Sequence, residues 1–154
     1  MKPTQLIDHP EGGRYQEVFR SPTLVEAPAR GGRSALTHIY FSLDAGESSL
    51  FHRVESDEVW NLYDGLGVRL YLWPDGSDSI EEVELTRSSS SFCHVVTAGT
   101  WQAAVPVGGR VLVGCSVAPG FEFCDFTIMQ AASTAGRQLL RLRPDLAHLL
   151  SAPT

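Results

Sequence analysis

From about Ser34 onward, apolar and polar residues alternate with a period of two, the spacing that sends successive side chains to opposite faces of a β-strand. Residues 36–43 (Leu-Thr-His-Ile-Tyr-Phe-Ser-Leu) read as a strand closed by Asp44-Ala45-Gly46. Residues 48–54 and 57–63 follow. In the latter, Val59, Asn61 and Tyr63 take one face and Glu58, Trp60 and Leu62 the other. Asp64-Gly65 and Asp75-Gly76 are hairpin signals on either side of 68–73, where Arg69, Tyr71 and Trp73 alternate against Val68, Leu70 and Leu72. Residues 80–85, 92–96, 100–105, 111–117 and 121–128 complete the series. About nine short, closely spaced strands predict an all-β sandwich or barrel. The tail breaks the pattern: 138–142 is an apolar-basic stretch, and 144–150, with Pro144 in its first turn, predicts a short helix. No repeat and no shift in composition divides the chain. One domain over 1–154 is expected, with a core at 34–128, an N-terminal arm at 1–33 and a C-terminal tail at 129–154.

Composition narrows the function classes. The 154 residues carry 18 acidic and 12 basic side chains, a net charge of −6, and 43% are apolar, enough for a packed core and too many for a disordered chain. An acidic chain without a Lys/Arg cluster is a poor match for nucleic acid or for an anionic membrane. No segment approaches the roughly 18 consecutive apolar residues of a membrane span. The first residues lack the apolar region of a secretion signal, so a cytoplasmic location is expected. Cys93, Cys115 and Cys124, an odd number without a Cys-x-x-Cys pair, are expected as buried free thiols in a reducing compartment. The Gly-x-Ser-x-Gly elbow, the Walker A loop, Gly-x-Gly-x-x-Gly and His-Glu-x-x-His are all missing, which removes most serine-hydrolase, nucleotide-kinase and zincin readings.

One constellation remains. His52 and Val54, two residues apart, share a strand face, and Glu58 meets them from the next strand. Gly46-x5-His52-x-Val54-x3-Glu58-x6-Gly65 resembles the first cupin motif, and Thr97-Ala98-Gly99-Thr100-Trp101-Gln102 resembles a degenerate second one, with Gln102 where a histidine would fall. A wider resemblance runs through five blocks in order. They are His9-Pro10-Glu11-Gly12-Gly13-Arg14-Tyr15-Gln16-Glu17, Ile39-Tyr40-Phe41, residues 52–60, residues 99–104, and Val117-Ala118-Pro119-Gly120-Phe121-Glu122-Phe123-x-Asp125-Phe126. Together they look like the cupin-5 family of small cupins. The resemblance implies a double-stranded β-helix (a cupin jelly-roll barrel), often dimeric and similar to the sugar-epimerase cupins of nucleotide-sugar pathways. It implies no settled reaction. A cupin metal site usually takes three imidazoles and one carboxylate. Here the matching positions are His52, Val54, Glu58 and Gln102, a reduced set that implies either no cofactor or a divalent metal held weakly by His52, Glu58 and Gln102.

In such a barrel the inward residues line a pocket for a small molecule. His52 is the candidate base, since imidazole titrates near neutral pH, and Glu58 its partner or the acid itself. Tyr40, Tyr63 or Tyr71 would supply the second proton. Trp60 and Trp101 are candidate aromatic walls, and Gln102 an orienting amide. Glu11, followed by two glycines, sits where the backbone can approach closely. Arg20 and Arg53 are candidate anchors for an anionic substrate or members of structural ion pairs with Glu17, Glu11 or Asp57. The first expectation is an isomerase, epimerase or lyase working by proton transfer beside a carbonyl. The alternatives are a metabolite-binding sensor or carrier, and a metal-dependent enzyme with a reduced ligand set. A homodimer is expected.

Overall fold

The computed structural model describes residues 5–152; residues 1–4, part of the N-terminal stretch read for a secretion signal, and 153–154 lie outside the described residues. In chain order the strands are β1 (Ile7–Asp8), β2 (Arg14–Arg20), β3 (Leu24–Ala27), β4 (Gly31–Ser34), β5 (Thr37–Leu43), β6 (Ser49–Val54) and β7 (Asp57–Asp64). They continue with β8 (Gly67–Trp73), β9 (Glu81–Thr86), β10 (Cys93–Val96), β11 (Trp101–Pro106), β12 (Val111–Ala118) and β13 (Phe126–Ile128). One sheet has six strands in the order β1-β2-β5-β12-β7-β10, a second has five in the order β13-β6-β11-β8-β9, and β3-β4 form a separate hairpin. This is a jelly roll of two facing antiparallel sheets with a short C-terminal helix, the sheets remaining distinct rather than joined edge to edge into one closed barrel.

Two cores explain the patterning. Between the sheets, Phe41, Trp60 and Val113 pack against Val68, Leu70 and Leu85. On the outer face of the five-stranded sheet, Phe51, Tyr71 and Trp73 pack against Leu139, Leu146 and Leu149 of the C-terminal segment. The five-stranded sheet is therefore buried on both faces. That is why β8 is apolar at almost every position instead of alternating.

The nine strands expected from alternation correspond to β5 to β13, except that the last, expected over 121–128, is cut to Phe126–Ile128 by a 3-10 turn at Phe123–Asp125. The first 33 residues add four more. β2 shows no alternation because its second half is exposed and a bulge at Val18 shifts its register against β5. At the C-terminus, the segment expected as a helix at 144–150 is a 3-10 helix, Pro144–Leu149, and the α-helix α1 lies earlier, at Thr134–Leu142. Ser133 starts it by accepting the Gly136 N–H with its side chain, a cap the apolar pattern does not display. The cysteines also differ from expectation: only Cys115 is buried, whereas Cys93 and Cys124 are exposed, and all three are free. Cys93 pairs with Asn61 on the outward face of its strand, and Cys124 lies in the 3-10 turn Phe123–Asp125. Among the described residues no helix is long and apolar enough to cross a membrane.

Candidate functional site

A cavity of about 230 Å³ opens between the sheets. β6 contributes His52 and Val54 to it, β7 contributes Glu58, and β12 contributes Cys115 and Val117. β2 contributes Tyr15, Glu17 and Arg20. His9 and Glu11 enter from the N-terminal segment, and Phe121, Phe123 and Phe126 form an aromatic wall.

Glu11 reaches this depth because of the glycines that follow it. Gly12 holds φ +104°, and a Cβ there would stand 2.2 Å from the Ser48 carbonyl oxygen; Gly13 holds φ +70°, with a Cβ 2.7 Å from the Ser42 oxygen. Both positions need a left-handed backbone and a close approach that only glycine permits. The segment is then pinned by the Leu50 N–H, which donates to the Glu11 carbonyl at 2.7 Å. The Glu11 side chain ends 6% exposed, its Oε2 2.9 Å from His52 Nε2.

The protons of His52 follow from its partners. Nδ1 lies 2.7 Å from the Leu50 carbonyl, which only accepts, so Nδ1 carries a hydrogen. Nε2 faces a carboxylate. Burial alone would lower the His52 pKa, but the charge and hydrogen bond of Glu11, then Glu58 and the Leu50 carbonyl, outweigh it and raise the value to about 9. His52 is therefore an imidazolium at neutral pH. Glu11 is its counter-charge: burial pushes its pKa up, yet His52, His9 and Ser49 pull it below the ordinary carboxylate value. On the other flank, His9 Nδ1 accepts the Glu11 N–H at 3.3 Å, and burial lowers its pKa, leaving a neutral ring.

Glu58 behaves differently. Trp60 Nε1, which only donates, gives its hydrogen to Gln102 Oε1 at 2.7 Å, and this fixes the amide so that Gln102 Nε2 donates to Glu58 Oε1 at 3.2 Å. Among the described residues no cation forms a salt bridge with Glu58. Burial raises its pKa, His52 opposes and Glu11 adds to the rise, and the balance falls at about 7. Cys115 beside it is pushed well above the ordinary thiol value, first by burial and then by Glu58.

At the mouth, Arg20 is already occupied. Its Nε and Nη2 donate to Glu17 Oε1 at 3.1 and 2.7 Å, Nη1 donates to Glu122 at 2.8 Å, and Nη2 also reaches the Phe121 carbonyl. The aromatic wall is held edge to face, with ring centroids 5.1 Å apart for Phe121–Phe123 and 5.9 Å for Phe121–Phe126. Behind it, Asp125 takes a two-nitrogen fork from Arg33, at 2.8 Å to each oxygen, and a third bond from Arg30 at 3.0 Å. Both arginines belong to the β3-β4 hairpin and its turn, so that hairpin clamps the segment carrying the wall.

The structure thus gathers His52, Glu58, Glu11 and Arg20 around one cavity, with Gln102 bonded to Glu58 but not lining it. It does not bring the other expected site residues there. Tyr40 and Tyr63 lie on the outward face of the six-stranded sheet, where the Tyr63 ring passes over Gly114 and its hydroxyl meets His38. Tyr71 is in the second core, on the opposite face of β8 from Leu70 and Leu72. Trp60 is a core residue whose indole orients Gln102, and Trp101 and Arg53 sit together on the outer face of the five-stranded sheet. His9, Tyr15 and the three phenylalanines were not singled out, although all five stand in the sequence blocks at 9–17 and 117–126. As for a metal, both nitrogens of His52 are engaged, and the Gln102 oxygen is taken by Trp60. Among the described residues no three His, Cys, Asp or Glu side chains converge to hold an ion. The donor set as folded does not fit a metal.

Known proteins carry the same fold and sequence pattern. The chain is 29% identical over 143 residues to an uncharacterized protein of Saccharomyces cerevisiae, YML079W, covering 82% of this chain and 71% of the yeast protein. A hypothetical protein from Leishmania major superposes with a TM-score of 0.80 at 28% identity, covering 96% of this chain and 94% of that one. Protein SO0799 from Shewanella oneidensis superposes with a TM-score of 0.78 at 31% identity, covering 97% and 92%. The profile of the Cupin_5 family, described as cupin superfamily (DUF985), matches residues 1–129, and the chain belongs to that family.

Proposed function

We propose that this cupin is a small-molecule enzyme of isomerase, epimerase or lyase type that moves a proton within the cavity between its sheets. The observation that carries the reading is Glu58: a carboxyl 6% exposed, open to the cavity, bonded to an amide rather than to a cation, and beside an ion pair. A carboxyl titrating at about 7 is matched to accepting and returning a proton near neutral pH. Glu58 is therefore the base. His52, already protonated on both nitrogens, supplies fixed positive charge for an anionic intermediate, and Glu11 holds it in place. Tyr15, which lines the cavity, takes the role of proton donor expected of Tyr40, Tyr63 or Tyr71.

The cavity also limits the substrate. Its volume is below the roughly 300–1,000 Å³ of drug-sized pockets. Each cation lining it, Arg20 and His52, is already paired, while Glu17, Glu122 and Glu58 add negative charge. A small uncharged or cationic molecule fits this field; a phosphate or carboxylate would meet carboxylates without a free partner.

Binding without turnover is the second reading, favoured by the saturation of both His52 nitrogens. One experiment separates the two. Metabolites that raise the melting temperature are incubated with the protein in D2O, and deuterium incorporation is followed by mass spectrometry. Proton transfer predicts incorporation that Glu58→Gln abolishes while the ligand still binds. Ligands that bind with no incorporation, or with incorporation indifferent to Glu58→Gln, overturn it.

A further inference from the structure

A second cavity, of about 400 Å³, lies on the far side of the five-stranded sheet from the first, where β6, β11 and β13 meet the start of α1. Its walls include Arg53, Asp75, Trp101, Thr134 and Gln138. Among the described residues only two buried side-chain nitrogen or oxygen atoms lack a hydrogen-bond partner, Arg53 Nε and Trp101 Nε1. Both belong to residues of this one cavity. Trp101 is 4% exposed, and the Arg53 guanidinium carbon stands 4.7 Å over its ring. Buried donors without acceptors are rare in folded proteins, and a pair side by side marks a place where an acceptor belongs.

Two further features point the same way. Arg53 Nη1 lies 3.5 Å from Asp75 and Nε 4.0 Å from Glu55, both about half exposed, but neither carboxylate makes a hydrogen bond with it. Nε of the guanidinium, which with Nη2 forms the edge that grips two oxygens of one anion, therefore has a carboxylate near it but no hydrogen bond. Ser133 Oγ takes only the Gly136 N–H, and the amides of Thr134 and Ala135 at the first turn of α1 have no acceptor among the described residues. First-turn amides and the helix dipole favour an anion there.

We propose that this cavity binds the oxyanion group, phosphate or carboxylate, of a small molecule, held by the guanidinium of Arg53, the indole N–H of Trp101 and the first amides of α1. The site is distinct from the proton-transfer cavity. Arg53 and Trp101 are the chain neighbours of His52 and Gln102, so the alternation of β6 and β11 sends one pair to each side of the sheet.

The other two tryptophans make the test internal: Trp60 Nε1 donates to Gln102 and Trp73 Nε1 to the Ser77 carbonyl. Inorganic phosphate and, separately, acetate are titrated into ¹⁵N-labelled protein at constant ionic strength, with chloride as control. The Trp101 indole signal and the Thr134 and Ala135 amides should shift saturably with at least one of the two oxyanions, while the Trp60 and Trp73 indoles stay fixed. Which oxyanion acts identifies the group. Arg53→Gln should weaken the binding by about tenfold or more, and Arg53→Lys, which keeps the charge but loses the edge, by less. A Trp101 signal that ignores both oxyanions, or that follows chloride equally, overturns the proposal, as does undiminished binding by Arg53→Gln.

Discussion

Glu58 and Asp125 are buried to the same depth, 6% exposed each, Glu58 lining the cavity and Asp125 lying in the segment that carries its aromatic wall. Asp125 is surrounded by cations: Arg33 and Arg30 between them cover both its oxygens, and the hydrogen bond from Arg33, followed by the arginine charges, holds its pKa below the usual value. Glu58 has an amide and a thiol for neighbours, and its pKa is pushed the opposite way. Depth alone says nothing about role. A carboxylate whose charge is matched on every side is a fastener, and one left short of positive charge in an open cavity is a reactive group.

The widest gap between the two should appear on deletion. Asp125→Ala strands two arginines that are 15% and 12% exposed, and a loss of about 3–5 kcal/mol in urea unfolding is expected. A loss within the range of an exposed pair would show that the clamp is ornamental. Glu58→Gln should do the reverse. It removes a buried charge in a shape-conserving way, so stability near pH 8 should hold or rise, while solvent-proton incorporation falls by about 10²–10⁴-fold. If Glu58→Gln unfolds the protein, Glu58 belongs with Asp125 after all.

The same contrast shows what was legible in the sequence. The strands of the six-stranded sheet could be read because their alternation reflects a buried and an exposed side. Glu58 and Gln102, in contrast, were set beside His52 by the resemblance to the two cupin motifs, since β6 and β7 lie in different sheets and β11 is far along the chain. The period of two also held information about the residues that did not join them. Glu58 and Tyr63 are five apart on one strand, and Arg53 and Trp101 are next to His52 and Gln102, so each must face away from the cavity. Tyr71 was harder, because a sheet covered on both faces buries either parity. His9 and the three phenylalanines come from loops and a 3-residue β13, where no periodicity exists to read. The clamp at Asp125 joins residues about 92 positions apart, and nothing local announces it.

A pH series sharpens the comparison further. His52 has its pKa raised on folding, from 6.5 to about 9, so its contribution to stability is full below pH 6.5 and lost as the pH rises through about 9. Glu58, raised from 4.5 to about 7, has the same sign: its contribution is full below pH 4.5 and lost as the pH rises through about 7. Glu11, lowered, contributes above pH 4.5 and loses its contribution as the pH falls through its folded value. Urea midpoints should therefore decline in two stages between pH 4.5 and 9. Glu58→Gln should remove the lower stage and Glu11→Gln the upper one. Identical profiles for all three proteins would break the assignment of charge to these groups.

The smallest effect is expected at the mouth, and it is the one that bears on the substrate. Arg20 is 37% exposed and its carboxylate partners Glu17 and Glu122 are 43% and 47% exposed, so solvent screens the network and Arg20→Gln should change stability by about 1 kcal/mol or less. Four of its hydrogen bonds are spent within the protein, which leaves little to offer a ligand. An uncharged ligand found by thermal shift should bind Arg20→Gln almost as tightly as the parent, and added salt should matter little. An anionic ligand that competes for the cavity and loses affinity in Arg20→Gln would reverse this. It would mean that substrate displaces Glu17 or Glu122 from the guanidinium, and that the mouth, unlike the clamp behind it, is built to trade partners.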